Sequence, residues 1–331
     1  MPSAMNPAVG HATFVRETGG PEVLRYEPHD AGAPGKDQAR TRIRACGVNF
    51  IDVYFRTGLY PRPLPFVAGL EGAGEIEAVG EGVTEFRPGD RVAWASAPGS
   101  YADAAVAPVD RLVRVPQGVS DEVAGAVMLQ GMTAHYLSHA VRTPREGDTA
   151  LVHAAAGGTG LLLVQMLKRA GVHVLGTCGS AEKEALVREA GADHVIRYRE
   201  RDVASEVRRL TDGRGVHVAY DSVGQSTFEG SLRSLRPRGL LVLFGQSSGA
   251  VPPLDLRRLG ELGSLYVTRP SLAHYTADRE ELLRRGGEVL HAVESGALRV
   301  RIGARFPLRE ARAAHEALES RSTSGKVLLV P

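Results

Sequence analysis

Between Asp148 and Leu167 an apolar strand, Ala150 to His153, runs into Ala-Ala-Ala-Gly-Gly-Thr-Gly160 and then into Leu161 to Leu167, apolar except at Gln165. Small residues at such a corner let the backbone approach a phosphate, and a helix that starts there presents unpaired amides and a partial positive charge. Strand, glycine turn and helix come in the order a pyrophosphate site needs. The spacing is Ala154-x-x-Gly157-x-x-Gly160 rather than G-x-G-x-x-G, so the turn alone is also compatible with a glycine-rich corner that holds nothing.

The segments beyond the turn decide between these. Strand-like runs alternate with helical patterns at Ala150 to His153, His173 to Gly176, His194 to Ile196, Val216 to Tyr220, Leu240 to Phe244 and Leu265 to Val267. Six runs with five crossovers predict an α/β fold, a doubly wound parallel six-stranded sheet of the Rossmann type. Gln225 to Leu235 reads as a helix ending before Pro237.

At 331 residues the chain exceeds the ~250 at which single cores stop growing, so a second domain is expected. Residues up to about 130 supply it, with short β-type runs such as Glu75 to Val79 and Arg91 to Trp94, the latter preceded by the turn Pro88-Gly89-Asp90. Helical stretches around Arg279 to Ser295 and Leu308 to Ser320 and a last strand, Lys326 to Val330, suggest a tail that returns to this first domain.

Several classes are excluded. Net charge is +2, and the many arginines form no basic tract, so no nucleic-acid partner is expected. No run of ~20 apolar residues exists, and Met1 to Gly10 lacks the charged-then-apolar pattern of a secretion signal, which together point to a cytoplasmic protein with no membrane partner. Cys46 and Cys178 cannot form a disulfide scaffold or a four-cysteine zinc lobe.

Past the glycine turn, an NAD enzyme places Asp or Glu at the end of its second strand to bind the ribose 2'-hydroxyl. This chain reads Gly176-Thr-Cys-Gly-Ser180 there, with no carboxylate until Glu182, which permits NADP. Lys183 and Tyr198 are each either a group for the 2'-phosphate or, in turn, a solvated helix start and a packing ring.

The sequence resembles the zinc-lacking NADPH:quinone oxidoreductases, the zeta-crystallin-like branch of the medium-chain dehydrogenase/reductase superfamily. The resemblance is carried by Gly19-Gly-Pro-Glu-Val-Leu24, Gly47-Val-Asn-Phe-Ile-Asp52, Arg56-Thr-Gly-Leu-Tyr-Pro61, His153-Ala-Ala-Ala-Gly-Gly158, Tyr220-Asp-Ser-Val-Gly224, Phe244-Gly-Gln-Ser-Ser-Gly249 and Gly263-Ser-Leu-Tyr-Val-Thr-Arg-Pro-Ser271. It implies a GroES-like β-rich catalytic domain over 1–130, completed by 272–331, with the NADPH-binding domain inserted as 131–271. It also implies that Asn49 and Tyr54 line the nicotinamide side of the cleft with Tyr60 at its mouth. Tyr136, Gly157, Gly158, Thr159 and Gly160 would contact the coenzyme, and Gly179, Ser180, Lys183 and Tyr198 would surround its adenosine ribose phosphate. Ser222, Phe244, Gln246 and Ser247 would edge its channel, Arg269 and Pro270 would lie in the loop that orients the carboxamide, and Arg321 would be a late contact from the tail. Thr159 stands where relatives usually carry Val.

Zinc-dependent relatives place Cys at the position of Asn49 and His in a Gly-His-Glu triplet where this chain reads Gly69-Leu70-Glu71, so no metal is expected and the reduction centre should hold no cation. Without a Lewis acid, an already electrophilic acceptor is the natural substrate, a quinone or an enone, with Asn49, Tyr54 and Tyr60 as hydrogen-bond donors to the oxygen where charge builds. An alkenal or enoyl-thioester reductase and a non-catalytic NADPH-binding protein remain the alternatives. Two decoys are set aside. Gly245-Gln-Ser-Ser-Gly249 matches a nucleophile elbow, but Val251-Pro-Pro253 resists the helix that such an elbow opens, and His135 and His139 have no glutamate between them to make a zinc motif. The resemblance further implies a homodimer joined at the edge strand Ser264 to Val267.

Overall fold

The computed structural model describes residues 10–331. Residues 1–9, most of the stretch read above for a secretion signal, lie outside the described residues. The chain forms two compact bodies, one built from residues up to Leu129 with Asp278–Glu294 and Ile302–Pro331, the other from Gln130–Ala277 with Ser295–Arg301. Among the described residues no helix is long and apolar enough to cross a membrane.

The first body is β-rich. Leu24–His29, Gly10–Val15 and Phe66–Val67 form a small antiparallel sheet. A larger sheet runs in the order Ile302–Pro307, Lys326–Val330, Gln38–Val48, Glu71–Val79, Arg91–Trp94, Val113–Arg114, with Ala104–Pro108 also paired to Gln38–Val48. Lys326–Val330 lies antiparallel to Gln38–Val48, setting Val327 opposite Val48, so the last strand of the chain borders one of the first. Ala39 and Ile43, and past the register shift between Ile43 and Ala45 also Cys46 and Val48, enter a core with Trp94, Tyr101, Val327 and Leu329.

In the second body six parallel strands take the order His194–Arg197, His173–Cys178, Thr149–Val152, Val216–Asp221, Leu235–Leu243, Tyr266–Thr268. This is the doubly wound order read from the six apolar runs. Strands buried on both faces give continuous apolar runs, as in the core of Leu151, Leu175, Ile196, Ala219 and Leu241. One element differs: the helix expected over Gln225 to Leu235 is Phe228–Ser234, and the next strand begins at Leu235, taking in Pro237. Its pairing jumps from Leu235 opposite Val216 to Leu240 opposite Val218, so the residues between bulge out, with Arg238 at φ 60°. Pro has no N–H to give a ladder, and a bulge is where a strand tolerates it.

Candidate active site

The strand Gln38–Val48 ends at Asn49, which caps the short helix Phe50–Arg56 in an extended conformation. Asp52 returns to accept the Asn49 backbone N–H at 2.9 Å, the reciprocal half of a capping box. The helix carries Tyr54, buried, and the turn after it brings Tyr60 back: the Tyr60 N–H donates to the Tyr54 carbonyl at 3.0 Å and the two rings meet edge-to-face at 5.2 Å. Local chain geometry thus brings together the three residues expected to face the acceptor.

The side chain of Asn49 is tied into a buried cluster that the sequence reading missed. Lys326, first residue of the last strand, donates from Nζ to Asn49 Oδ1 at 2.7 Å and to Glu71 Oε2 at 2.5 Å. Asn49 Nδ2 donates to the same Glu71 oxygen at 2.8 Å and to the Gly47 carbonyl at 3.2 Å, while Glu71 Oε1 accepts the Leu129 N–H at 2.7 Å. Lys326 is 1% exposed and Glu71 0%; burial pulls the Lys326 pKa down while the Glu71 carboxylate pulls it up. Both amide protons of Asn49 are therefore spent within the protein. This bonding does not favour the donor role expected of Asn49, whose oxygen faces Lys326. The Lys326 ammonium is a charge beside Asn49 that the sequence reading, concerned with a metal cation, did not consider.

A second chain of buried groups continues from Asp52. Tyr101 Oη donates to Asp52 Oδ2 at 3.0 Å and lies 3.2 Å from His315 Nε2; Arg56 Nη1 lies 3.0 Å from His315 Nδ1 and 2.7 Å from Glu319 Oε1. Arg is donor-only, so His315 accepts at Nδ1 and carries its proton on Nε2. Burial first, then the Arg56 charge, pushes the His315 pKa down to about 3. Burial pushes Asp52 up to about 7 against the hydrogen bonds from Asn49 and Tyr101 and the Lys326 charge, and its Oδ1 has no hydrogen-bond partner among the described residues.

In the second body Gly157 caps the helix Gly158–Arg169 and leaves its first amides at the carboxyl end of the strand Thr149–Val152. A Cβ on Gly160 would stand 2.4 Å from the Ala154 carbonyl oxygen, so only glycine allows this helix to start so close to its strand. Thr159 sits in the same first turn. At the tip of the second strand, Ser180 caps Ala181–Glu189 and accepts the Lys183 N–H at 3.3 Å. A Cβ on Gly179 would meet the Tyr198 hydroxyl at 2.7 Å and approach Arg199 Nε to 3.6 Å. Gly179, Ser180, Lys183 and Tyr198 are thus gathered, with Arg199 as a second cation that sequence reading did not single out. Glu184, in the helix that begins here, pairs with Arg188 and Arg197. A glycine turn, helix-start amides and a cation-bearing, hydroxyl-lined tip fit a phosphorylated dinucleotide.

The loops after the fourth and fifth strands interlock. Phe244 N–H donates to the Asp221 carbonyl at 2.9 Å, Ser247 N–H to the Ser222 carbonyl at 3.2 Å, and Arg269, just beyond the sixth strand, donates to Gln246 Oε1 at 2.9 Å with Pro270 next in the chain. Below them His153 binds Thr177 Oγ1 and Ser231 Oγ at 3.2 and 3.0 Å, and Ser231 donates to Asp221 at 2.7 Å, all fully buried. Here Ser bridges His to Asp, so this trio anchors the Asp221 loop and is no nucleophile relay. Tyr136 is buried and stacks on Tyr275 at 4.4 Å. Arg321, at φ 56°, follows the helix Ala311–Glu319 in the first body. Neither decoy takes its motif's form: no helix opens at Gly249, and His135 and His139 stack at 4.4 Å with His139 Nδ1 3.0 Å from the His135 carbonyl oxygen and 2.8 Å from Ser138 Oγ.

Comparison with known proteins places this geometry. An alcohol dehydrogenase GroES-like domain model matches residues 35–117 and a zinc-binding dehydrogenase model residues 158–285. A quinone oxidoreductase of Pseudomonas aeruginosa is 48% identical over 95% of this chain and 97% of its own length. The chain belongs to the quinone oxidoreductases of the medium-chain dehydrogenase/reductase superfamily. Within the same group, the Escherichia coli quinone oxidoreductase solved in complex with NADPH superposes with a TM-score of 0.95 at 42% identity, covering 97% of this chain and 100% of that one. A 2-haloacrylate reductase of Burkholderia sp. is 41% identical over 97% of this chain and 98% of its own. The second model's description names zinc, and the donor set here does not suit it. Leu70 cannot ligate, and the Lys326 ammonium already lies against both the Asn49 oxygen and the Glu71 carboxylate, where a second cation would be repelled.

Proposed function

We propose that this chain reduces quinones with NADPH, without bound zinc, as a cytoplasmic homodimer. The observation that carries the coenzyme assignment is the tip of the second strand, where Gly179, Ser180, Lys183, Tyr198 and Arg199 gather and where Gly176 to Ser180 holds no Asp or Glu. A 2'-phosphate is stabilised by such donors, and a carboxylate in that place would repel it. Gly157, Gly158, Thr159 and Gly160 hold the pyrophosphate, and Ser222, Phe244, Gln246, Ser247, Arg269 and Pro270 line the path of the nicotinamide, with Tyr136 and Arg321 as further contacts; 131–271 is the coenzyme domain. When bound, NADPH supplies a hydride. Tyr54 and Tyr60 orient the acceptor and donate hydrogen bonds to the oxygen on which charge develops. Asn49 fixes the helix that carries Tyr54.

The zinc-free assignment rests on the ammonium in the metal's place. Dimerisation rests on Tyr266–Thr268, one of the two edge strands of its sheet, with Tyr266 61% and Val267 37% exposed. The kinship with a 2-haloacrylate reductase favours a second reading, an activated carbon–carbon double bond as acceptor. Metal-stripped enzyme assayed with NADPH and NADH against small quinones and small enals separates these. Quinone turnover with NADPH at least about tenfold preferred supports the proposal; enal turnover alone selects the second reading, and dependence on added zinc or a preference for NADH overturns the assignment.

A further inference from the structure

We infer that Lys326 is a positioning residue of the reduction site, acting through Asn49, and that the inference therefore rests on the reading of that site given above. An ammonium only donates and a carboxylate only accepts, so Lys326 can meet Asn49 only at Oδ1 and Glu71 can meet it only at Nδ2. Together they hold the amide in one orientation, at 2.7 and 2.8 Å, against the exchange of O and N that an isolated amide undergoes freely. The strand pairing of Val327 with Val48 delivers Lys326 beside Asn49 across 277 residues of sequence. Asn49 in turn begins the helix that presents Tyr54, so its amide couples the buried pair to the acceptor-facing surface. A pair kept only for stability would serve as well in any buried position; this one spends two of its hydrogen bonds on a residue at the site.

Removing Lys326 alone leaves the Glu71 carboxylate buried without its cation, which threatens the fold. The test therefore uses the charge-neutral pair Lys326→Met with Glu71→Gln, the single variant Asn49→Ala, and the triple variant, with Lys326→Arg as the charge-conserving control. Thermal melting and NADPH titration by fluorescence report folding and coenzyme binding, and kcat and KM are measured with a small quinone. The expected result is that the neutral pair keeps its melting transition and binds NADPH within about threefold of the parent. Its kcat falls about tenfold, as in Asn49→Ala, and the triple variant falls no further, because the two act as one unit. Lys326→Arg recovers part of the lost kcat. A triple variant whose loss is the product of the two separate losses overturns the inference, as does a folded neutral pair with full kcat. If the neutral pair does not fold, Lys326→Arg decides: a kcat change with unchanged melting supports the role and unchanged kcat overturns it. Full turnover in Asn49→Ala would instead overturn the reading of the site itself, and the inference with it.

Discussion

Replacing Asp52 by Asn should change how stability depends on pH. Asp52 lies 5% exposed between the Asn49 N–H and the Tyr101 hydroxyl, and burial raises its pKa from 3.8 to about 7. A carboxyl whose pKa rises on folding binds its proton more tightly in the folded chain, so it contributes stability below about pH 4 and loses it as pH climbs through about 7. At about 1.4 kcal/mol per pH unit the full span is about 4 kcal/mol, of which about 3 kcal/mol falls between pH 5 and pH 8. The amide introduced by Asp52→Asn cannot titrate but keeps an oxygen for the same two donors. The charges facing Asp52 from neighbouring elements, Lys326 and Glu71, are present in both proteins, as are all the histidines. Urea unfolding of both proteins from pH 5 to pH 8 should therefore give a difference in unfolding free energy that moves against the parent by about 3 kcal/mol. A difference that stays flat would mean that Asp52 ionises at its ordinary value, and one that moves in the parent's favour as pH rises would reverse the reasoning.

Arg199→Ala and Tyr198→Phe should each raise KM for NADPH by about tenfold or more with little change for NADH, since a charge-assisted hydrogen bond contributes about 1.5–3 kcal/mol; steady-state kinetics with both coenzymes decides. Gly160→Ala, whose Cβ would stand 2.4 Å from a carbonyl oxygen, should lose about 1–3 kcal/mol and most NADPH binding. Gly230→Ala, on a helix with nothing within 4 Å of the new Cβ, should instead gain about 0.5–1 kcal/mol, so calorimetry on the two tests whether the first effect is steric. Tyr54→Phe should lower kcat about tenfold or more with coenzyme affinity unchanged, and full turnover would remove the tyrosine from the reaction.

The α/β body is legible in the sequence because its information is local: apolar runs of strand length, helical spacing between them, and a glycine corner that needs no distant partner to be recognised. The strand Leu235–Leu243 starts earlier than its sequence suggests because Pro237 normally ends such an element and only the register shift beside Val216 makes room for it. The site is legible in part. Asn49, Tyr54 and Tyr60 lie within one helix and its adjoining turn, close enough in sequence to be read as a motif. Lys326 and Glu71 are 255 residues apart and Tyr101 and His315 are 214 apart, each a single polar residue in an otherwise ordinary segment. Their only local signal is a lysine opening the apolar run Val-Leu-Leu-Val330 and a glutamate closing the Gly-Leu-Glu triplet.

Those distant pairs share one target. The helix Phe50–Arg56 is held at its start by Asn49, through Lys326, and at its end by Arg56, which is 1% exposed and bonds the Gly19 carbonyl, His315 and both oxygens of Glu319. Lys326, His315 and Glu319 all belong to the last elements of the chain, so the tail clamps both ends of the helix that carries Tyr54. A lysine at position 56 could not match the bidentate grip on Glu319 while also reaching Gly19 and His315. Arg56→Lys should cost about 2–4 kcal/mol of stability, and more of the remaining loss should appear in KM for the quinone than in the NADPH dissociation constant. Equal losses in coenzyme and acceptor affinity would show that the tail supports the body in general and not this helix in particular.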